Sequence, residues 1–313
     1  MNETVNGKEC SPFGAKQPAF VGYPNRHARL GVLDISRALP IRDRRMVGPR
    51  CFLDRFGPLS FTSNKAMNVP PHPHIGLQTV SWLLEGEILH NDSLGSEAIV
   101  QPGGVNVMTA GKGIAHTEET PQVNHGRLNG VQLWVALPES ARNTAPSFTN
   151  IEQVPAVDTR GGIIQVFAGA LNGTVSPTPY YSEIVGLDLQ IQAESELELD
   201  LNPGYEYALL VLGGDTHFEK NEMEEQILYY LGTSRTSLSI TSRSGGRLLL
   251  IGGPPFQETI LMWWNFVART PEEISKARED WEAHRHFGEV TGNHGPRLAA
   301  PELARFARPN PVS

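Results

Sequence analysis

Apolar residues in this chain fall in short runs broken by glycine and proline, with little sign of helical spacing. Gln78–Leu84 (QTVSWLL) is rich in β-forming residues, turns at Glu85-Gly86-Glu87 and resumes at Ile88-Leu89. The segments LGVLDISRALP from Leu30, MVGPRCFLDRFGPLSF from Met46 and GVQLWVAL from Gly130 have the same character. Such runs, punctuated by Leu94-Gly95-Ser96, Pro102-Gly103-Gly104 and Gly111-Lys112-Gly113, predict short antiparallel strands in a small barrel or sandwich. After the polar stretch 138–162, which reads as a connection, strands are expected again. They fall at Ile163–Phe167, Tyr181–Ile191, Glu196–Leu201, Tyr207–Leu212, Gln226–Tyr230, Ser237–Thr241 and Arg247–Ile251. Residues 1–26 carry little periodicity and read as a loosely held start.

Helical spacing emerges late. Thr270-Pro271-Glu272-Glu273 supplies an N-cap, a first-turn proline and the glutamate of a capping box. Ile274, Ala277 and Trp281 then share one face of a helix expected to end near Gly288. His284 and His286 would point to nearly opposite sides of it, so they read as charge partners of its C-terminus and not as paired ligands. In the tail, Leu298, Leu303 and Phe306 could pack across a domain surface.

Candidate chemistry sits in the first all-β stretch. His72 and His74 are two apart, and so are His116 and Glu118. On extended strands residues i and i+2 share a face, so two adjacent strands would direct three imidazoles and a carboxylate at one point. That donor set suits iron, manganese, nickel, copper, cobalt or zinc. His90, with Glu85, Glu87 and Asp92, reads as pocket mouth or charged turn, and Gln78 or Gln132 as a possible hydrogen-bond partner of a ligand. Cys51 lies between strand-forming neighbours and reads as a buried, inert thiol, while Gly111-Lys112-Gly113 departs from a phosphate loop and reads as a turn.

Length and charge narrow the class. The 313 residues suggest two domains, and a net charge of −8 with scattered Lys and Arg argues against direct nucleic-acid binding. The short cluster Arg42, Arg44, Arg45 and Arg50 reads as a solvated loop. No apolar run approaches the length of a membrane span, and the polar start MNETVNGKEC lacks signal-peptide character. With only Cys10 and Cys51 there is no disulfide framework, so a cytoplasmic location is expected, a nuclear one remaining open in a eukaryote, and the sequons at Asn2, Asn91 and Asn172 read as chance.

An H-x-H strand, a glycine turn and a P-G-G turn in one short β-unit resemble the cupin superfamily. The stretches CFLDRFGP (51–58), HPHIGLQTVSWLLEGEILHNDSLGS (72–96), MTAGKGIAHTEE (108–119) and GGPPFQETILMWWNFV (252–267) resemble the pirin family more closely. Ordinary cupins carry a ligand Glu where this chain has Gln78 and a His where it has Val107; in pirins a His-x-Glu pair takes over, here His116 and Glu118.

The resemblance implies an all-β bicupin, two jelly-roll-type barrels with a short C-terminal helix. Residues 1–140 would form a metal-binding cupin domain. Residues 160–313 would form a cupin-like domain without metal, followed by helix and tail. Counting back from the Gly213-Gly214 turn reaches Leu199 and Leu201, or Asp200 and Asn202, and His217-Phe218-Glu219 faces no second imidazole pair. The expected cofactor is one divalent ion per chain, iron first, held by His72, His74, His116 and Glu118. The implied activity is that of a quercetin 2,3-dioxygenase. Glu118 would be a ligand and, if it can swing off the metal, the general base that takes the flavonol 3-hydroxyl proton before dioxygen cleaves the ring with loss of carbon monoxide. Beside a site of formal charge near +1, an aromatic, enolate-like substrate would be preferred. The alternative carried by the family is a metal-dependent regulatory protein that modulates a transcription factor or metabolic enzyme through protein contacts.

Overall fold

In the computed structural model, residues 17–30, 33–62, 67–292 and 295–303 are described. The chain is all-β except for the helix Pro271–Glu282. Each half pairs a seven-stranded sheet with a four-stranded one. In the first half the large sheet runs, from edge to edge, Ser147–Ile151, Val105–Thr109, Leu77–Gly86, Arg127–Ala136, Arg50–Ser60, Leu33–Leu39 and Arg26–Leu30. Its small sheet runs Asn68–His74, Ile114–Glu119, Ile88–Asp92, Glu97–Val100. The second half repeats the plan, with Ser195–Asp200, Ser237–Ser242, Thr216–Phe218 and Asn221–Met223 as its small sheet.

The two large sheets bury a shared apolar layer: Leu53, Val80, Trp82, Val131 and Leu133 from one side meet Phe167, Ala208, Leu210, Leu249 and Ile251 from the other. Strands buried on both faces explain why QTVSWLL and RLLLI read as continuous runs instead of alternating ones. Polar pins cross the layer. Arg50 Nη1 and Nη2 donate to Gly252 O and Val185 O at 2.6 and 2.7 Å. Burial pushes its guanidinium down to about 10, because no carboxylate compensates it there. Arg55 Nη2 donates to Leu212 O at 2.7 Å, and Trp82 Nε1 to Asp188 Oδ2 at 2.8 Å, with Arg247 Nη2 on the same oxygen at 2.7 Å. The arginine cluster is therefore not one solvated loop: Arg50 is a pin between the halves, and Arg44 lies 3.7 Å over the Tyr230 ring.

The cores of the halves differ. The second is one continuous cluster of apolar side chains, Leu199 and Leu201 among them. In the first, the apolar residues form two clusters, one around Cys51, Leu77 and Ile114, the other around Phe56, Leu83 and Ile88. Buried His72, His74, Ser81, His116 and Glu118 also belong to this half. Burial pushes the Cys51 thiol up to about 12, which keeps it an inert thiol at neutral pH.

Three segments depart from expectation. Pro18–Pro24 is a strand on the open edge of the second half's large sheet, paired with Ile227–Gly232, and Arg26–Leu30 edges the first half's. The first carries no alternation because most of its residues are exposed or half-buried. The polar stretch 138–162 contains the edge strands Ser147–Ile151 and Ala156–Thr159. The helix stops at Glu282, capped at Ala283, and His284 and His286 lie beyond it with positive φ. His286 Nε2 donates to Lys112 O at 2.6 Å. Its N-terminus is as expected, with Thr270 Oγ1 accepting from the Glu273 amide at 3.3 Å.

After the last strand of the second half the chain returns to the first. The hairpin Leu261–Trp263 and Phe266–Ala268 bridges Ile75 through Phe266, and Leu298 N donates to Pro71 O at 2.9 Å. Gly76 sits under this hairpin at φ +69°, where a Cβ would lie 2.0 Å from Val267 O, so only glycine fits. Leu303 is exposed, and Phe306 lies outside the described residues. No helix among the described residues is long and apolar enough to cross a membrane.

The Trp82–Asp188 bond gives a direct test of the pins. W82F keeps an aromatic side chain but removes the indole donor from a buried carboxylate of the other half, leaving Arg247 on that oxygen, and should lower unfolding free energy by about 1–3 kcal/mol in urea denaturation. An unchanged midpoint would show that the pin carries no weight.

Candidate metal centre

Strand Ile114–Glu119 lies between Asn68–His74 and Ile88–Asp92, and each of the three carries an i, i+2 pair. Antiparallel pairing sets His116 opposite His72 on one side and Asp92 on the other, while Glu118 faces His90. The register slips between His116 and Glu118, where Pro70 and Pro71 bulge the partner strand because prolines cannot donate to a ladder. Glu118 is thereby paired with Val69 where an unbroken register would set it opposite Pro70.

His72, His74 and His116 converge with ligand atoms all within 4.8 Å of one another. They are buried to 6%, 1% and 1% exposure. Glu118 stands outside that group of three, on the same strand as His116 and with its own bonds: Oε1 accepts from Gln132 Nε2 at 2.6 Å and from Ser81 Oγ at 3.3 Å. Both donors fall on Oε1, which leaves Oε2 for a cation or a proton. Gln132 is thus the amide beside a candidate ligand, whereas Gln78 donates to Thr109 Oγ1 and Pro179 O.

The outer nitrogens of two imidazoles are committed. His72 Nδ1 lies 2.9 Å from Pro70 O, and His74 Nδ1 lies 3.0 Å from Asn265 O. A carbonyl only accepts, so both Nδ1 atoms carry the proton and both Nε2 atoms present lone pairs. His74 Nε2 meets His116 Nε2 at 3.1 Å. Burial, with neighbouring imidazoles, holds all three rings below the ordinary histidine range, His74 and His116 well below it. Neutral, deprotonated, converging Nε2 atoms in a dry barrel are what a divalent transition ion requires, so the residues present fit the implied metal.

The centre opens on a cavity of about 430 Å3 floored by His72, Glu118 and Gln132. Phe52 and Trp134, stacked at 4.1 Å and 13°, form one aromatic wall, and Met262 and Trp264 of the returning hairpin also line it. Arg37 lies 4.5 Å over the Phe52 ring and holds Asp54 with two bonds of 2.8 and 2.7 Å. Trp264, Asn265 and Leu298 were invisible as site residues because they join the cavity only through the chain's return; the pair His74–Asn265 is 191 apart. His90 is not at the pocket mouth: it is buried behind His116, 3.3 Å away between the Nδ1 atoms, and touches Asp92. The H-x-D spacing of His90 and Asp92, the same as in the two ligand pairs, was the signal for it. In the second half, His217 is half-buried and Glu219 pairs with Arg235 at 2.7 Å.

Residues 32–135 match the Pirin family model, and residues 186–288 match that of the Pirin C-terminal cupin domain. A Pseudomonas aeruginosa protein with the provisional name quercetin 2,3-dioxygenase is 44% identical over 280 residues, covering 87% of each chain. A pirin-like protein of Caulobacter vibrioides is 36% identical over 268 residues, covering 83% of this chain and 92% of its own. Among solved structures, a quercetin 2,3-dioxygenase of Acinetobacter baumannii superposes with a TM-score of 0.89 at 41% identity, covering 93% of this chain and 97% of its own.

The depressed imidazoles make metal-free stability depend on pH. Above about pH 6.5 folded and unfolded chains both hold these rings neutral. Below it the unfolded chain takes up protons that the folded one refuses, so stability falls with pH. Chelator-stripped protein should therefore show a denaturation midpoint that declines from pH 7 to 5.5, and the H72F/H74F/H116F variant a smaller decline. Equal declines would show that other groups set the slope.

Proposed function

The chain belongs to the pirin family, and on that premise we propose that it is a metal-dependent dioxygenase which cleaves the heterocyclic ring of a flavonol such as quercetin with dioxygen. The observation that carries the reading is the converging trio His72, His74 and His116, which meets an aromatic-walled cavity through His72 with Glu118 beside it. His72, His74 and His116, with Glu118 as a fourth donor, would hold one divalent transition ion. Iron is our first choice, with manganese, nickel, copper, cobalt and zinc chemically open. Such an ion supplies Lewis acidity toward an enolate oxygen and a means of engaging dioxygen.

The protein's own contributions follow from the geometry. Phe52 and Trp134 line the cavity as a stacked pair, an aromatic wall against which a planar substrate can pack. Arg37 adds positive charge to the wall, partly offset by Asp54. Glu118 is also the base in this reading, once its Oε2 leaves the ion: Gln132 and Ser81 anchor Oε1, and the released Oε2 takes the 3-hydroxyl proton of the substrate. The buried surroundings exclude water from the ring opened by dioxygen, whose two atoms end in the ester product as carbon monoxide leaves.

Elemental analysis of metal-replete protein should give one ion per chain. H72A or E118A should lower that content while cooperative unfolding persists, since the barrel has apolar clusters on either side of the site. Two ions per chain would contradict the assignment of one centre, and loss of the folded state would make the ion structural.

Metal-loaded protein should consume dioxygen with quercetin and release carbon monoxide. A substrate with its 3-hydroxyl blocked should be inert, and E118Q should lose most of the turnover while Q132L loses less. Absence of turnover across the panel of metals, together with a specific protein recovered by pull-down, would return the regulatory alternative.

A further inference from the structure

Asp92, His90 and His116 form a line of hydrogen bonds behind the proposed centre. Asp92 is fully buried and divides its oxygens between two tasks. Oδ1 accepts from Leu94 N at 2.9 Å and from Ser96 N at 3.0 Å, while Oδ2 lies 3.1 Å from His90 Nε2. His90, itself buried, stacks on Phe148 at 4.1 Å and 6°, and its Nδ1 meets His116 Nδ1 at 3.3 Å. None of these groups except His116 has a part in the chemistry proposed above.

The line has a direction. A carboxylate only accepts, so Asp92 places the proton of a neutral His90 on Nε2. His90 Nδ1 is then an acceptor, and His116 must donate its Nδ1–H to it. His116 Nε2 is left bare, facing the bare Nε2 of His74 at 3.1 Å. Without the line, His116 could instead carry its proton on Nε2 and bond to His74, closing the trio with a hydrogen bond and no cation. The carbonyls of Pro70 and Asn265 settle His72 and His74, and nothing but His90 touches His116 Nδ1 among the hydrogen bonds of the described residues.

We propose that Asp92 and His90 are positioning residues which, through this relay, fix His116 as the Nδ1–H tautomer and so keep the third lone pair of the trio aimed at the metal. The inference rests on His116 being a ligand. It goes further in assigning to two residues outside the ligand set the choice between a cation site and a closed hydrogen-bonded trio. Phe148 holds the His90 ring plane, and the turn amides of Leu94 and Ser96 hold the Asp92 carboxylate.

D92N tests the direction of the line at constant volume. Oδ1 must go on accepting from two backbone amides, so the new NH2 group falls on His90 Nε2 and reverses every bond. His90 Nδ1–H then donates to His116 Nδ1, and the His116 proton moves to Nε2. In metal-free protein, imidazole 15N shifts should report His116 as the Nδ1–H form in wild type and the Nε2–H form in D92N. Zinc(II) affinity, measured against a competing chelator, should fall about 10- to 100-fold. H90F keeps the stack on Phe148 but severs the line, so D92N/H90F should bind zinc no more weakly than H90F alone.

His116 in the same tautomer in wild type and D92N, or a D92N loss that persists undiminished in the H90F background, would overturn the relay. Should D92N fail to fold, H90F carries the test: its His116 shifts must become those of a tautomer mixture, and shifts unchanged from wild type sink the proposal. Quercetin is absent from every arm, so failure of the oxidation assay leaves this result standing, and the 15N shifts of metal-free protein decide the relay whichever ion the site takes.

Discussion

Three imidazoles buried in the middle of a β-barrel impose a constraint that the rest of the first half serves. Each ring has two nitrogens, and a buried nitrogen without a partner costs on the order of 1–3 kcal/mol. The inward atoms can be satisfied together by one cation. The outward atoms need three separate partners, and the fold finds them in three places: a carbonyl on the same strand, a carbonyl on a hairpin 191 positions downstream and the ring of His90. Gly76 and the bulge at Pro70-Pro71 read as consequences of this demand, since one admits the hairpin and the other sets which strand positions face each other.

The same constraint accounts for the contrast between the halves. Where polar groups must be gathered, the apolar core of the first half is divided into two clusters. The second half, built on the same two-sheet plan, fills its interior with Leu197, Leu199, Leu209, Leu238 and their neighbours as one cluster. It lends the first half a backing layer and, through the segment that follows its last strand, part of a cavity wall.

Much of this was legible in the residues. Period-two spacing singled out His72, His74 and His116, which converge, and short apolar runs located most strands, because both depend on neighbours within a few positions. The helix start at Thr270 was equally local. What stayed hidden depends on distant partners or on the absence of pattern. Pro18–Pro24 is mostly exposed or half-buried on an edge and so shows no alternation. Arg50 looks like a surface charge until Gly252 and Val185 close over it. Trp264 and Asn265 belong to the site only because the chain doubles back. The bulge that pairs Glu118 with Val69 is a further feature that spacing does not reveal.

The return of the C-terminal hairpin also orders events during synthesis. His74 leaves the ribosome 191 residues ahead of the carbonyl that fixes its ring, a delay on the order of 10–40 s at ordinary elongation rates. For that interval the nascent barrel presents a His74 ring whose outer nitrogen is unfixed, and its aromatic cavity lacks Met262 and Trp264. The trio of imidazoles therefore has its full set of outer partners only after that hairpin has been made and has folded back.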